Sequence, residues 1–159
     1  MKYLVPLVAQ TASMSCWSAS IAMILGWKNQ ASYSDRLIAA NSGGINYTPS
    51  LTGNGLDPND RYILQRYGFE IAPSACYTRL GIHQMMKEYG PLWVASLAPA
   101  PHIRVVTGYQ GGVLNINDPA PVNRGGRYTR SFRRFFGAME NLAATELNQP
   151  NPVYIAHLR

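Results

Sequence analysis

Gln10-Thr11-Ala12-Ser13-Met14-Ser15-Cys16-Trp17-Ser18-Ala19-Ser20 sets a glutamine six positions before a cysteine, and the cysteine opens an apolar stretch. Trp17, Ile21, Ile24 and Leu25 recur at helical spacing, which predicts a helix over residues 15–27 with Cys16 in its first turn. Ser13 or Ser15 can cap its start, and Gly26 helps to end it. A helix N-terminus carries partial positive charge, so a thiol there is pushed toward thiolate. The unpaired N–H groups of the same turn can receive an oxyanion. Thiolate is the nucleophilic form, and the placement favours covalent acyl transfer. Against this, a lone cysteine opening an apolar helix is more often a small buried hydrophobe, so the decision falls to the residues around it.

The 159 residues suffice for one domain with a real core and are too few for two large ones. Hydrophobic residues make up 47% and charged residues 14%, the balance of a folded globular chain rather than a disordered one. No apolar run approaches the ~20 residues of a membrane span. Met1-Lys2-Tyr3-Leu4-Val5-Pro6-Leu7-Val8 is too short and polar-flanked for a complete signal peptide, although a domain cut from a larger secreted polypeptide is compatible with it. Two cysteines, Cys16 and Cys76, do not make a disulfide framework. Bridged to each other they would leave no nucleophile, so a reducing compartment suits the catalytic reading. No metal or cofactor is expected, since CxxC, HExxH, carboxylate clusters and a glycine-rich phosphate loop are all missing.

Net charge is +6, and Arg124, Arg127, Arg130, Arg133 and Arg134 supply five of the fourteen basic residues within eleven positions. Such a run is usually a solvated face; it also suits an acidic protein partner. Nucleic acid is disfavoured, because no helix-turn-helix, zinc-finger or RNA-binding aromatic motif accompanies the run.

Residues 1–9 read as a short extended segment limited by Pro6. A second helix is expected from Tyr33 to Ala40, capped by Ser32 or Ser34, with Leu37 and Ile38 inward. Breakers then make residues 41–56 a loop, equally a cleft wall and a plain surface excursion. Asp57-Pro58 starts another helix with Tyr62, Ile63 and Tyr67 buried; Gly68 ends it, and Phe69 to Ala72 adds a short strand. Thr78 or Tyr77 begins a fourth, whose Ile82, Met85, Met86 and Tyr89 face a core. After Gly90-Pro91 the periodicity becomes that of strands: Leu92–Leu97, His102–Tyr109, Val113–Asn117 and Val153–Leu158. Gly111-Gly112 signals a hairpin, and a basic loop with a helix around Thr129–Leu142 precedes the last strand. The plan is α+β: one domain over 1–159, with a helical half over about 1–90 and an antiparallel sheet half over about 91–159.

Of three histidines, His83 lies one residue off an apolar stripe and reads as exposed. His157 alternates with Val153 and Ile155 and reads as structural. His102 opens a strand after Ala98-Pro99-Ala100-Pro101, where proline fixes the entry of the backbone, and a sheet end is where catalytic groups are displayed. An imidazole that serves a cysteine needs a third group to orient it. Asn117-Asp118-Pro119 closes the return strand. With a two-residue turn at Gly111-Gly112, Asn117 shares a face with His102; a three-residue loop or a bulge moves Asp118 there instead. Asp118-Pro119 is also an ordinary turn signal.

Taken together, these residues resemble a compact papain-clan cysteine peptidase. Gln10 followed by Ser15-Cys16-Trp17 is similar to that clan's oxyanion glutamine and nucleophile motif. Gly90-Pro91-Leu92-Trp93-Val94, His102 leading Val105-Val106-Thr107-Gly108-Tyr109, and Asn117-Asp118-Pro119 resemble two bacterial branches, the bacteriocin leader peptidases and the plant-pathogen effector proteases. The resemblance runs from about residue 5 to residue 120. It implies a papain-like fold, with Cys16 as nucleophile, His102 as general base and acid, Asp118 as orienting group, and Gln10 donating to the oxyanion beside the Cys16 N–H. Ser13 and Met14 stand where papain has Cys and Gly, and the 86-residue spacing from Cys16 to His102 is far below the ~130 of papain proper, which favours the compact types.

The expected function is cleavage of a protein or peptide substrate by a bacterial effector or toxin domain, secreted or delivered and acting in a reducing cytoplasm. As the resemblance implies, an acidic inhibitor or immunity protein is a candidate partner, at Arg124 to Arg134. The same residues also serve deamidases, transglutaminases and cell-wall amidases, and a non-catalytic module on this fold is the remaining alternative.

Overall fold

The computed structural model describes residues 1–42, 62–96, 100–148 and 153–159. The helix start at Asp57-Pro58, residues 98 and 99, and nearly all of the loop expected over 41–56 lie outside them. Helix α1 is Cys16–Asn29, α2 is Asp35–Asn41, α3 is Tyr62–Arg66, α4 is Arg79–Tyr89 and α5 is Ala138–Glu146. The strands are β1 (Phe69–Ile71), β2 (Leu92–Ser96), β3 (His102–Gln110), β4 (Val113–Asp118), β5 (Gly126–Ser131) and β6 (Val153–Leu158). They form one antiparallel sheet in the order β1-β6-β2-β3-β4-β5.

Alternation along the central strands divides the apolar residues between two sides. Trp93, Ile103 and Val105 pack with α1, α2 and α3. Val94, Val106, Leu114 and Ile116 pack with α4, the π-helical turn Arg133–Gly137 and α5. Helix α1 is buried on every side from Cys16 to Gly26, which marks a central rather than an amphipathic helix. It runs past Gly26 to Asn29 and ends on Gln30, whose φ of 51° is left-handed. Gly26 therefore does not stop the helix. A Cβ there would stand 2.9 Å from the Ala31 carbonyl oxygen and 3.0 Å from Pro6 Cγ, so the residue permits a close crossing by the chain.

Other expectations shift as well. The first nine residues contribute a single bridge, Lys2 to Gly108, rather than a strand. Ser34 caps α2 by accepting from the Leu37 N–H, and Ile38 is buried, but Leu37 faces outward at 46% exposure. Thr78 caps α4 through the Gly81 N–H. The basic stretch read as loop before a helix is instead β5, an edge strand beside β4, and only then does the chain turn helical. Its signal was hidden because four of its six residues are exposed and polar. His157 is buried and stacked on Tyr89 at 3.7 Å, whereas His83 is half-buried with its ring 5.7 Å from Tyr109.

Candidate active site

The hairpin between β3 and β4 turns on Gly111 and Gly112 with φ of 58° and 80°, the double left-handed pair of a two-residue turn. Near its middle the register slips: Val106 faces Ile116 but Gly108 faces Asn115, leaving Thr107 as a bulge. That extra residue reverses which side of β4 meets His102. Asp118 Oδ1 lies 2.7 Å from His102 Nε2, while Asn117 donates its amide to the Val5 and Pro6 carbonyls at 3.2 and 3.4 Å.

The His102 ring also interacts with the Cys16 side chain at the start of α1. Burial disfavours the imidazolium, but the hydrogen bonds to Asp118 and Cys16, with the charges behind them, outweigh it and raise His102 from 6.5 to about 9. Burial likewise opposes the Asp118 carboxylate; its bond and charge pairing with His102, the Ala120 N–H and the nearby Arg104 prevail and hold it below the ordinary value. Cys16 is 7% exposed and shares a core with Trp17 and Val105, so its sulfur is screened from solvent while keeping one polar neighbour.

The first turn of α1 is shaped by a diversion. Ser15 occupies the capping position, yet no side chain caps the helix. Its hydroxyl donates instead to Asp35 Oδ2 at 2.9 Å and to the Ala12 carbonyl at 3.1 Å. The same Asp35 oxygen receives the Thr11 N–H and hydroxyl at 2.6 and 2.8 Å. Asp35, 1% exposed, thus pins the loop before Cys16 and leaves the leading N–H groups of α1 without a side-chain acceptor. Sequence alone gave no sign of this role, because Asp35 reads as an ordinary first-turn acid.

Gln10 sits in the same loop, tied to the stretch after Asp118 by its N–H to the Pro119 carbonyl at 3.0 Å and by Asn123 N–H to its own carbonyl at 2.8 Å. Its two amide hydrogens are both committed, to the Ala12 and Ser13 carbonyls at 2.9 and 2.8 Å, and its Oε1 is buried without a partner. Cys76 is exposed, and neither cysteine is in a disulfide. Among the described residues, no group of three or more His, Cys, Asp or Glu is placed to hold a metal ion, and no helix is long and apolar enough to cross a membrane.

One further side chain reaches the carboxylate, and a second backs it. Tyr128 donates its hydroxyl to Asp118 Oδ2 at 3.2 Å, and Arg104 donates to the Tyr128 oxygen at 3.3 Å. Neither stood out in the sequence, Arg104 for lying inside a strand and Tyr128 for lying in what reads as a basic loop.

Comparison with known proteins points one way. The family model described as papain-like cysteine protease AvrRpt2 matches residues 1–140. Among solved structures, a double glycine motif protease from an AMS/PCAT transporter, in complex with the leader peptide, aligns at 18% identity and a TM-score of 0.60, over 99% of this chain and 94% of that one. The peptidase domain of Streptococcus ComA, a bi-functional ABC transporter involved in a quorum sensing pathway, aligns at 20% identity and 0.57, over 96% and 98%. A structure from Bacillus anthracis described as a C39-like peptidase aligns at 14% identity and 0.63, over 99% and 97%. At these identities the likeness is one of fold. No curated protein matches the chain.

Proposed function

Because this chain belongs to the papain-like cysteine protease AvrRpt2 family and is a cysteine peptidase, we propose that Cys16 is its nucleophile, His102 its general base and acid, and Asp118 the group that orients the imidazole. One observation carries the assignment: a single imidazole interacts with Cys16 at the start of α1 and, through Nε2 at 2.7 Å, pairs with the Asp118 carboxylate.

The geometry lends itself to a two-stage reaction. The Cys16 sulfur attacks a peptide carbonyl, and the oxygen that becomes negative lies toward the N-terminus of α1, where uncapped N–H groups and the helix dipole stabilise it. His102, holding the proton given up by the Cys16 thiol as the sulfur attacks, passes it to the leaving amine. Water then attacks the thioester with His102 as base, and the acid product leaves the thiol as it began. Gln10 can join the oxyanion site only by surrendering an N–H now held by Ala12 or Ser13. The substrate is read as a protein or peptide, in keeping with the leader peptide bound to the transporter protease of the same fold.

The domain is further read as a bacterial effector or toxin working in a reducing cytoplasm, where Cys16 stays a thiol. An acidic inhibitory partner suits the five exposed arginines from Arg124 to Arg134, none of which forms an ion pair among the described residues. Such a partner should co-purify and detach with salt; binding indifferent to ionic strength would refute the electrostatic reading.

Proteome-wide mapping of new chain termini in cells expressing the protein tests the reaction. Cys16→Ala should erase every cut, and Gln10→Ala should lower turnover by roughly 10²–10³. Deamidated glutamines in place of cuts would reassign the reaction, and equal cutting by Cys16→Ala would refute the nucleophile.

A further inference from the structure

The Asp118 carboxylate has two oxygens with separate duties. Oδ1 meets His102 Nε2 and accepts the Ala120 N–H at 2.9 Å. Oδ2 receives the Tyr128 hydroxyl, which in turn accepts from Arg104. Arg104 donates to Tyr128 and Tyr128 to Asp118, so the order is polarised in one direction and ends on the oxygen that His102 does not use. The far end is fixed too: the Arg104 guanidinium lies 5.1 Å from the centre of the Phe135 ring and 3.9 Å from Met139 Sδ. Phe135 and Met139 are buried, in the π-helical turn and α5.

We propose that Tyr128, held by Arg104, is a positioning residue that sets the orientation of Asp118 and through it the alignment of His102. The proposal rests on the catalytic reading of Cys16, His102 and Asp118. It gives the basic strand β5 and the helical segment after it a part in the chemistry: they hold the far wall of the carboxylate site. Burial raises the Tyr128 phenol against the opposing pull of Arg104, so it stays a donor. Around the pair, Cys16 faces it from α1, Arg104 from β3 and Tyr128 from β5; Phe135 and Met139 bring no charge.

Tyr128→Phe keeps the ring and its packing and removes only the hydroxyl. The imidazole of His102 is titrated by NMR in the intact chain, and cleavage is measured as separate kcat and KM across pH. With Oδ2 released, the carboxylate swings, the bond at Nε2 weakens, and the His102 titration moves down from about 9 toward 6.5. In step with it, kcat falls by about tenfold or more while KM holds, since misalignment acts on the reacting geometry. Arg104→Met should shift the titration in the same sense by less, and the double variant should match Tyr128→Phe, because the two act in series. Should Tyr128→Phe fail to fold, Arg104→Met decides alone. A wild-type titration in the folded variants overturns the proposal. The titration needs no substrate, so this failure is distinct from that of the catalytic reading, which shows as an intact chain that cuts nothing.

Discussion

His102 takes its properties from two neighbours, and the sign of their effect sets how the site responds to pH. Its folded value of about 9 lies above the ordinary 6.5, so the stability it contributes is complete below 6.5 and is lost as pH rises through about 9. Asp118 is shifted the other way, so its contribution exists above the ordinary carboxylate range and fades as pH drops beneath it. Urea titrations should therefore show the stability gap between the protein and His102→Ala widest between the ordinary carboxylate range and 6.5 and closing on both flanks. Cleavage should fall as pH passes about 9, where the imidazole loses the proton the leaving amine needs. A gap indifferent to pH would mean that the imidazole has no charged partner in the fold. At this scale the sequence was informative about residue types and weak about partners. Asp118 and Asn117 were equally placed until one bulged residue, Thr107, decided between them, and a bulge has no signature in a run such as Val105-Val106-Thr107-Gly108. Asp35 was hidden for a related reason, since the three donors to its Oδ2 come from a loop twenty or more residues away.

Helix α1 connects the site to the core. It brings Cys16 to the sheet end where His102 begins β3, and its apolar spacing was legible because tryptophan and isoleucine recur on it. Its C-terminus was not legible. Glycine is the commonest stop signal, but Gly26 answers to Pro6 and Ala31, which pack against it from outside the helix. Gly26→Ala separates the two roles. Helix propensity alone predicts a gain of about 1 kcal/mol, whereas a methyl group forced against a backbone oxygen predicts a loss of about 1–3 kcal/mol. Thermal and urea unfolding should show the loss; a stabilised variant would mean that the crossing of Pro6 over α1 is looser than described. Strand β5 shows the opposite difficulty. Its pattern is polar because it lies at the edge, and edge strands carry charge that deters pairing with other chains, so a reading tuned to buried alternation passes over it.

Across the whole molecule, one sheet with helices on both sides carries, at the start of β3 and the end of β4, His102 and Asp118, the residues proposed to serve Cys16. We read residues 1–159 as a single domain, because the two apolar clusters share β2, β3 and β6 and neither has a sheet of its own. The α+β plan, the strand-rich second half and the peptidase family were accessible from the sequence. What was not accessible is how distant segments cooperate: residues 10–15 are held by Asp35, the stretch after Asp118 is laced to Gln10, and β5 closes the carboxylate site. The central claim is that the thiol at position 16 is activated by its imidazole. Alkylation at neutral pH, with Cys76 as an internal reference, tests it most directly. Cys76 is exposed, but burial of its thiol and the neighbouring Glu140 carboxylate raise it and slow its reaction. The account predicts that Cys16, only 7% exposed, is modified faster than Cys76, and that His102→Ala removes the preference. Faster labelling of Cys76 in the unaltered protein, or a Cys16 rate unchanged by His102→Ala, would contradict it.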